Sequence, residues 1–198
     1  MSDPVIELTC ESENVKSKQY IYEENKYTIK NYDRNMISDS FSDLFAYKSV
    51  IYDENGKLLS VAPPKSIGYN YFTSSYECDS NIEISEIIEG TMINLFYHND
   101  KWILSTRGAI GGTYFYFRNQ YYVDVHSTTR QISFYDMFME ALQADDNQML
   151  NDNMLMKNMD KNYCYSFVMQ HPDNHIVIPV RFPQLYLTGV YKVDNVEN

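Results

Sequence analysis

Thr91-Met92-Ile93-Asn94-Leu95-Phe96-Tyr97 runs into His98-Asn99-Asp100-Lys101, and Trp102-Ile103-Leu104-Ser105-Thr106 returns. Two stretches rich in β-branched and aromatic residues, joined by a short polar break, predict a β-hairpin. Gly108-Ala109-Ile110-Gly111-Gly112 follows and reads as a turn. It lacks the Lys-Ser/Thr that a phosphate-cradling P-loop needs. Outward from this hairpin the pattern repeats. Tyr47–Tyr52 and Lys57–Ala62 flank Asp53-Glu54-Asn55-Gly56, an Asn-Gly hairpin signal, and Pro63-Pro64 closes the second strand. Gln19–Asp33 alternates Tyr and Ile with charges around Glu23-Glu24-Asn25, which predicts two more strands. Further strands are predicted at Tyr163–Met169, Ile176–Ile178 and Leu185–Val193, and a loop at Asn35–Leu44.

Helix is scarce. Ser133–Gln143 carries a capping serine, Asp136 three residues on, and one apolar face of Phe134, Met137, Phe138, Ala141 and Leu142. A weaker helix is expected within Asp145–Asn162, with Leu150, Met154 and Leu155 inward. Many strands and few helices define an α+β, antiparallel-sheet-rich domain over residues 16–198, preceded by a polar segment at 1–15. The 19 tyrosines fit strand packing better than base stacking.

Composition narrows the function. Among 198 residues, 27 are Asp or Glu and 16 are Lys or Arg, a net charge of −11. Non-specific nucleic-acid binding draws its affinity from neutralised phosphates, so it is not expected here. There is no apolar run long enough to span a membrane and no signal peptide at the acidic start, so a cytoplasmic location is expected. Cys10, Cys78 and Cys164 form no CxxC pair and read as free thiols of a reducing compartment. His171 and His175 are separated by Pro172, Asp173 and Asn174, which read as a turn. They share no helical face, and no metal site is expected.

The chemistry lies in Glu83–Gly112. A carboxylate and glycine, Glu89-Gly90, open the hairpin, and Thr106-Arg107-Gly108 closes it. This arrangement resembles the nucleotide pocket of covalent nucleotidyltransferases, above all RNA ligases of the phage RNA ligase 1 and tRNA-repair type. In that family a Lys-x-Asp-Gly-Ser motif supplies the lysine that attacks the α-phosphate of ATP. The resemblance covers roughly Tyr20 to Val193 by motif order. Lys48-Ser49-Val50-Ile51-Tyr52-Asp53 is similar to the strand whose basic residue faces phosphates, and Pro63-Pro64-Lys65-Ser66-Ile67 to the lysine segment before the nucleophile. Cys164–Val177 resembles the strand that reads aromatic-Glu and then Pro-x-Asn-Arg-Ile-Val, and Leu185–Tyr191 resembles the strand after it.

The departures are chemical. Ile87 stands where the motif has its lysine, Phe167-Val168 where it has aromatic-Glu, and His175 where it has arginine. The family's downstream acidic-Gly and Lys-x-Lys segments would lie past Asn198. Groups that act as one catalytic unit do not fail additively, so losing several abolishes turnover.

The resemblance therefore implies an RNA-ligase-like nucleotidyltransferase domain without lysyl-adenylate chemistry. It would act by binding a nucleotide, an RNA end or a protein partner, self-association included. Lys48, Lys65, Glu89, Gly90 and Arg107 are its candidate ATP-binding residues, with Mg²⁺ accompanying the nucleotide. Two alternatives stand beside it. One is an active adenylyltransferase that is half of a split enzyme or uses Lys65 as nucleophile. The other is a structural protein with the fold as scaffold. Composition and resemblance together point to a large DNA virus or similar source, and then to host cytoplasm or virion.

Overall fold

The computed structural model describes residues 8, 13–37, 44–77, 82–113, 132–145, 147–174 and 177–193. Two antiparallel sheets dominate. The first has the order β1-β2-β3-β4, from Val15–Tyr22, Asn25–Tyr32, Val50–Asp53 and Leu58–Val61. The second has the order β7-β6-β5-β8-β9, from Ala109–Ile110, Lys101–Thr106, Thr91–His98, Tyr163–Gln170 and Gln184–Lys192. Helices α1 (Tyr69–Ser75), α2 (Phe134–Ala141) and α3 (Met154–Asn158) complete the described elements, with 3-10 turns at Leu150–Asp152 and Pro172–Asn174. The sheet-rich α+β class is as expected.

Strand alternation sorts the second sheet into two faces. Ile93, Leu95, Trp102, Leu104, Tyr165, Phe167 and Met169 point to a core closed by α2 and α3. The opposite face turns Phe96, Ile103, Ile110 and Cys164 toward Tyr27, Ile29, Ile51 and Val61 of the first sheet. The first sheet thus covers one face of the second, and α2 and α3 cover the other.

Turn chemistry sets the register. Glu23-Glu24 and Asn99-Asp100 both take positive φ at the two central positions, the geometry that matches strand twist in two-residue hairpins. The two tips meet: Asn99 Nδ2 donates to Asn25 Oδ1 at 2.9 Å, and Lys101 Nζ lies 2.6 Å from Glu23 Oε2. The β3–β4 turn differs from the two-residue Asn-Gly form. Three residues, Glu54–Gly56, lie within the bond from Asp53 N–H to the Lys57 carbonyl; Asp53 Oδ1 accepts from the N–H groups of Asn55 and Lys57, and Gly56 takes φ +80°. A short polar side chain at the turn's start has captured its N–H groups.

Several expectations are corrected. Tyr47–Ser49 is turn, not strand; β3 begins at Val50. Leu44, the last residue of the expected loop, and Phe45 after it are buried. The strand expected at Ile176–Ile178 does not form at Val177 and Ile178, which sit in an exposed bend; Ile176 lies outside the described residues. In α3 the inward residue is Met156, while Met154 and Leu155 are exposed; only Leu150 is buried as expected. Asn153 caps the helix by accepting from Leu155 N–H, and that start fixes which side faces Trp102. Trp102 then donates its indole N–H to the Met156 carbonyl at 3.0 Å. Helix α1, which buries none of its residues, has no apolar periodicity to announce it. Helix α2 does form, with the capping box between Ser133 and Asp136, and ends by Leu142 as Gln143 turns to φ +55°. Cys10, Cys78 and His175 lie outside the described residues; Cys164 is free and buried.

Candidate functional site

Arg107 opens the turn that follows β6. Its Nε donates to the Lys48 carbonyl at 3.2 Å and a terminal nitrogen donates to the Tyr32 carbonyl at 3.4 Å. Its guanidinium lies 4.5 Å from the centroid of the Tyr32 ring. Lys48 reaches the same place because Tyr32 N–H donates to Tyr47 O, which docks the 44–47 turn on β2. Burial first, and then the positive charge of Arg107, push the Lys48 ammonium below the ordinary lysine range. Burial also lowers Arg107, Tyr32 opposes that, and Arg34 adds a third positive charge in the same direction. Among the described residues, neither Lys48 nor Arg107 makes an ion pair with a carboxylate. In a chain of net charge −11, two part-buried cations held side by side form a local exception.

A polar row lies in the strands leading to this cluster. Asn94, Ser105 and Ser166 face one another across β5, β6 and β8 and are fully buried. Ser166 Oγ donates to Asn94 Oδ1 at 2.8 Å, while Asn94 Nδ2 and Ser105 Oγ have no partner among the described residues. Buried polar atoms left unpaired are uncommon and mark places where water or a ligand belongs. The signal available in sequence was a polar residue at alternate positions of otherwise apolar strands. Tyr32, Asn94, Ser105 and Ser166 were not anticipated as site residues.

The other expected residues make their contacts elsewhere. Lys65 Nζ donates to the Ser66 carbonyl at 2.9 Å and lies 4.8 Å over the Phe45 ring. Its backbone N–H donates to Phe45 O, so it flanks the turn that carries Lys48. Glu89 binds protein backbone: its carboxylate oxygens accept from Val177 N–H at 2.7 Å and Ile178 N–H at 3.1 Å. Gly90 lets β5 begin hard against β8, since a Cβ there would meet the Met169 carbonyl and the Val168 side chain. Ile87 is 94% exposed. His171 belongs to the core, with Nε2 3.0 Å from Glu140 Oε2 and Nδ1 accepting from Asp173 N–H. That second bond places the ring proton on Nε2. Among the described residues no group of three or more His, Cys, Asp or Glu side chains converges to hold a metal.

A cleft lies at the other end of the sheets. It encloses about 620 Å³ at the hairpin tips, walled by Asp53, Lys57, Tyr97, His98 and Lys161 among others. Gly90 and His98 bracket β5, so about 26 Å of strand at ~3.3 Å per residue separates the two ends.

Comparison with known proteins gives one direction. The chain is 26% identical over 113 residues to an RNA ligase of Rhodothermus phage RM378, which is 57% of this chain and 24% of that ligase. The match therefore spans about a quarter of that protein's length. No family model matches the chain. The similarity supports a distant relationship to RNA ligases. No described helix is long and apolar enough to cross a membrane.

Proposed function

We propose that this chain is an RNA-ligase-like binding protein that holds the phosphate of a nucleotide or RNA end at Lys48 and Arg107 and has given up lysyl-adenylate transfer. The observation that carries this reading is the pairing of Lys48 with Arg107. Two part-buried cations, of which Arg107 depresses the protonation of Lys48, are stabilised by an anion placed between them. Tyr32 fixes the guanidinium plane, which suits bidentate recognition of phosphate oxygens. The loss of chemistry rests on Ile87: an aliphatic side chain has no lone pair to attack an α-phosphate. Glu89, whose counterpart would serve the nucleotide, here holds backbone N–H groups, and Gly90 lets β5 lie against β8. ATP is the expected nucleotide, with Mg²⁺ arriving on its phosphates.

Heating the full chain with and without ATP-Mg²⁺ tests the binding. Ligand that binds only the folded chain raises the melting temperature by mass action, and Arg107→Ala should abolish the rise. A rise that survives Arg107→Ala would move the site away from this pair.

One observation favours a second reading. A lysine serves as a nucleophile when its neutral form is accessible, and Lys48 is pushed in that direction by burial and by Arg107. If adenylyl transfer survives, Lys48 is then the amine to examine, ahead of Lys65, whose ammonium is bound to the Ser66 carbonyl. Peptide mapping of any adduct would separate the two.

A further inference from the structure

The cleft at the hairpin tips is built from four chain segments that the two sheets bring together: the β3–β4 hairpin, the β5–β6 tip, the turn entering β8 and Val193 after β9. Its volume of about 620 Å³ falls in the range of small-molecule sites. A second, smaller cleft of about 130 Å³ shares Asp53, His98 and Asn99 with it, so these three form a common wall.

The charges in the wall are unequally committed. Asp53 is nearly buried, and its Oδ1 already accepts two turn N–H groups. Asp100 accepts from the Tyr97 hydroxyl at a long 3.5 Å. Lys161 donates to that same hydroxyl at 3.0 Å and rests 4.3 Å over the Tyr97 ring, which keeps it firmly cationic. Lys57 Nζ makes no hydrogen bond or ion pair among the described residues, yet its charge is felt at His98. His98 is held by its ring contact with Tyr27, whose centroid is 5.7 Å away. Tyr27 is completely buried, and its hydroxyl has no hydrogen-bond partner among the described residues. Leu58, Leu59, Tyr163 and Val193 give the cleft an apolar side as well.

We propose that this cleft is a second ligand site, separate from Lys48 and Arg107, that binds a small phosphate monoester with a flat or apolar body. Lys57 and Lys161 receive the dianion, His98 offers it a ring N–H, and the leucine and tyrosine surfaces take the body. The proposal stands independently of the function argued above, because it uses none of the same residues.

The test follows the His98 ring resonances of the full chain by NMR, titrated with uridine 5′-monophosphate, uridine and inorganic phosphate in separate series. The monophosphate should move the His98 signals in saturable fashion in the millimolar range or below. Lys57→Ala with Lys161→Ala should weaken that binding by about tenfold or more. Arg107→Ala should leave it unchanged. No movement with the monophosphate would overturn the site. Equal binding of inorganic phosphate would overturn the monoester class, since the body would then contribute nothing. Equal binding of uridine would remove the lysines' role. Loss of binding in Arg107→Ala would assign the effect to the other end of the sheets.

Discussion

At the scale of single residues, Lys48 and Arg107 are each partly buried, each positive, and joined through a backbone carbonyl. The effect of Arg107 on Lys48 is measurable. Because Arg107 lowers Lys48, Arg107→Ala should raise the Lys48 titration toward the ordinary lysine value. NMR of reductively methylated lysines would follow it, and an unmoved Lys48 would separate the two charges. His98 offers a second titration. Burial outweighs Asp53 and pushes its imidazole below the usual histidine value. The unfolded chain therefore takes up the proton first, so stability is full above about pH 6.5 and falls as pH drops through that value toward the folded one. His98→Gln should flatten that part of the stability profile, and an unchanged profile would mean His98 is not its source. What the sequence made legible at this scale was the residue types, Lys48, Arg107 and Ile87 among them. It did not show that Glu89 would spend its carboxylate on Val177 and Ile178 N–H groups, because that bond joins positions 88 apart.

At the scale of elements, most strands were legible because their residues alternate or cluster β-branched and aromatic side chains. The missed pieces have local physical causes. The β3–β4 loop lengthened because Asp53 captured two N–H groups. Val177-Ile178 has strand propensity, but its N–H groups are taken by Glu89 in place of a ladder. Helix α1 has no buried face to leave a periodic trace. The capping box of α2 was legible and is testable: Ser133→Ala should lower stability by about 1 kcal/mol in a denaturant titration. Gly90→Ala should destabilise the start of β5 by more than that cap does, since its Cβ would press on β8 backbone. A Gly90→Ala chain as stable as the parent would show that β5 can shift away from Met169 without cost.

At the scale of the whole molecule, two antiparallel sheets pack face to face, with helices on the far side of the second. The strand ends at Arg107 and the hairpin tips at His98 are opposite termini of that packing, and each gathers its own cations in an acidic protein. Net charge of −11 predicts that duplex RNA does not bind at physiological salt; gel-shift or anisotropy measurements that found tight binding would defeat the local-site picture. The similarity to a phage RNA ligase, at 26% over 113 residues, gives the relationship a direction without specifying the chemistry. That chemistry turns on Ile87. The most direct measurement incubates the full chain with α-labelled ATP and Mg²⁺ or Mn²⁺, then separates it on a denaturing gel. The expected result is no retained label, together with an ATP-dependent rise in melting temperature that Arg107→Ala removes. Label that survives denaturation would contradict the loss of adenylyl transfer, and its position, Lys48 or Lys65, would name the nucleophile.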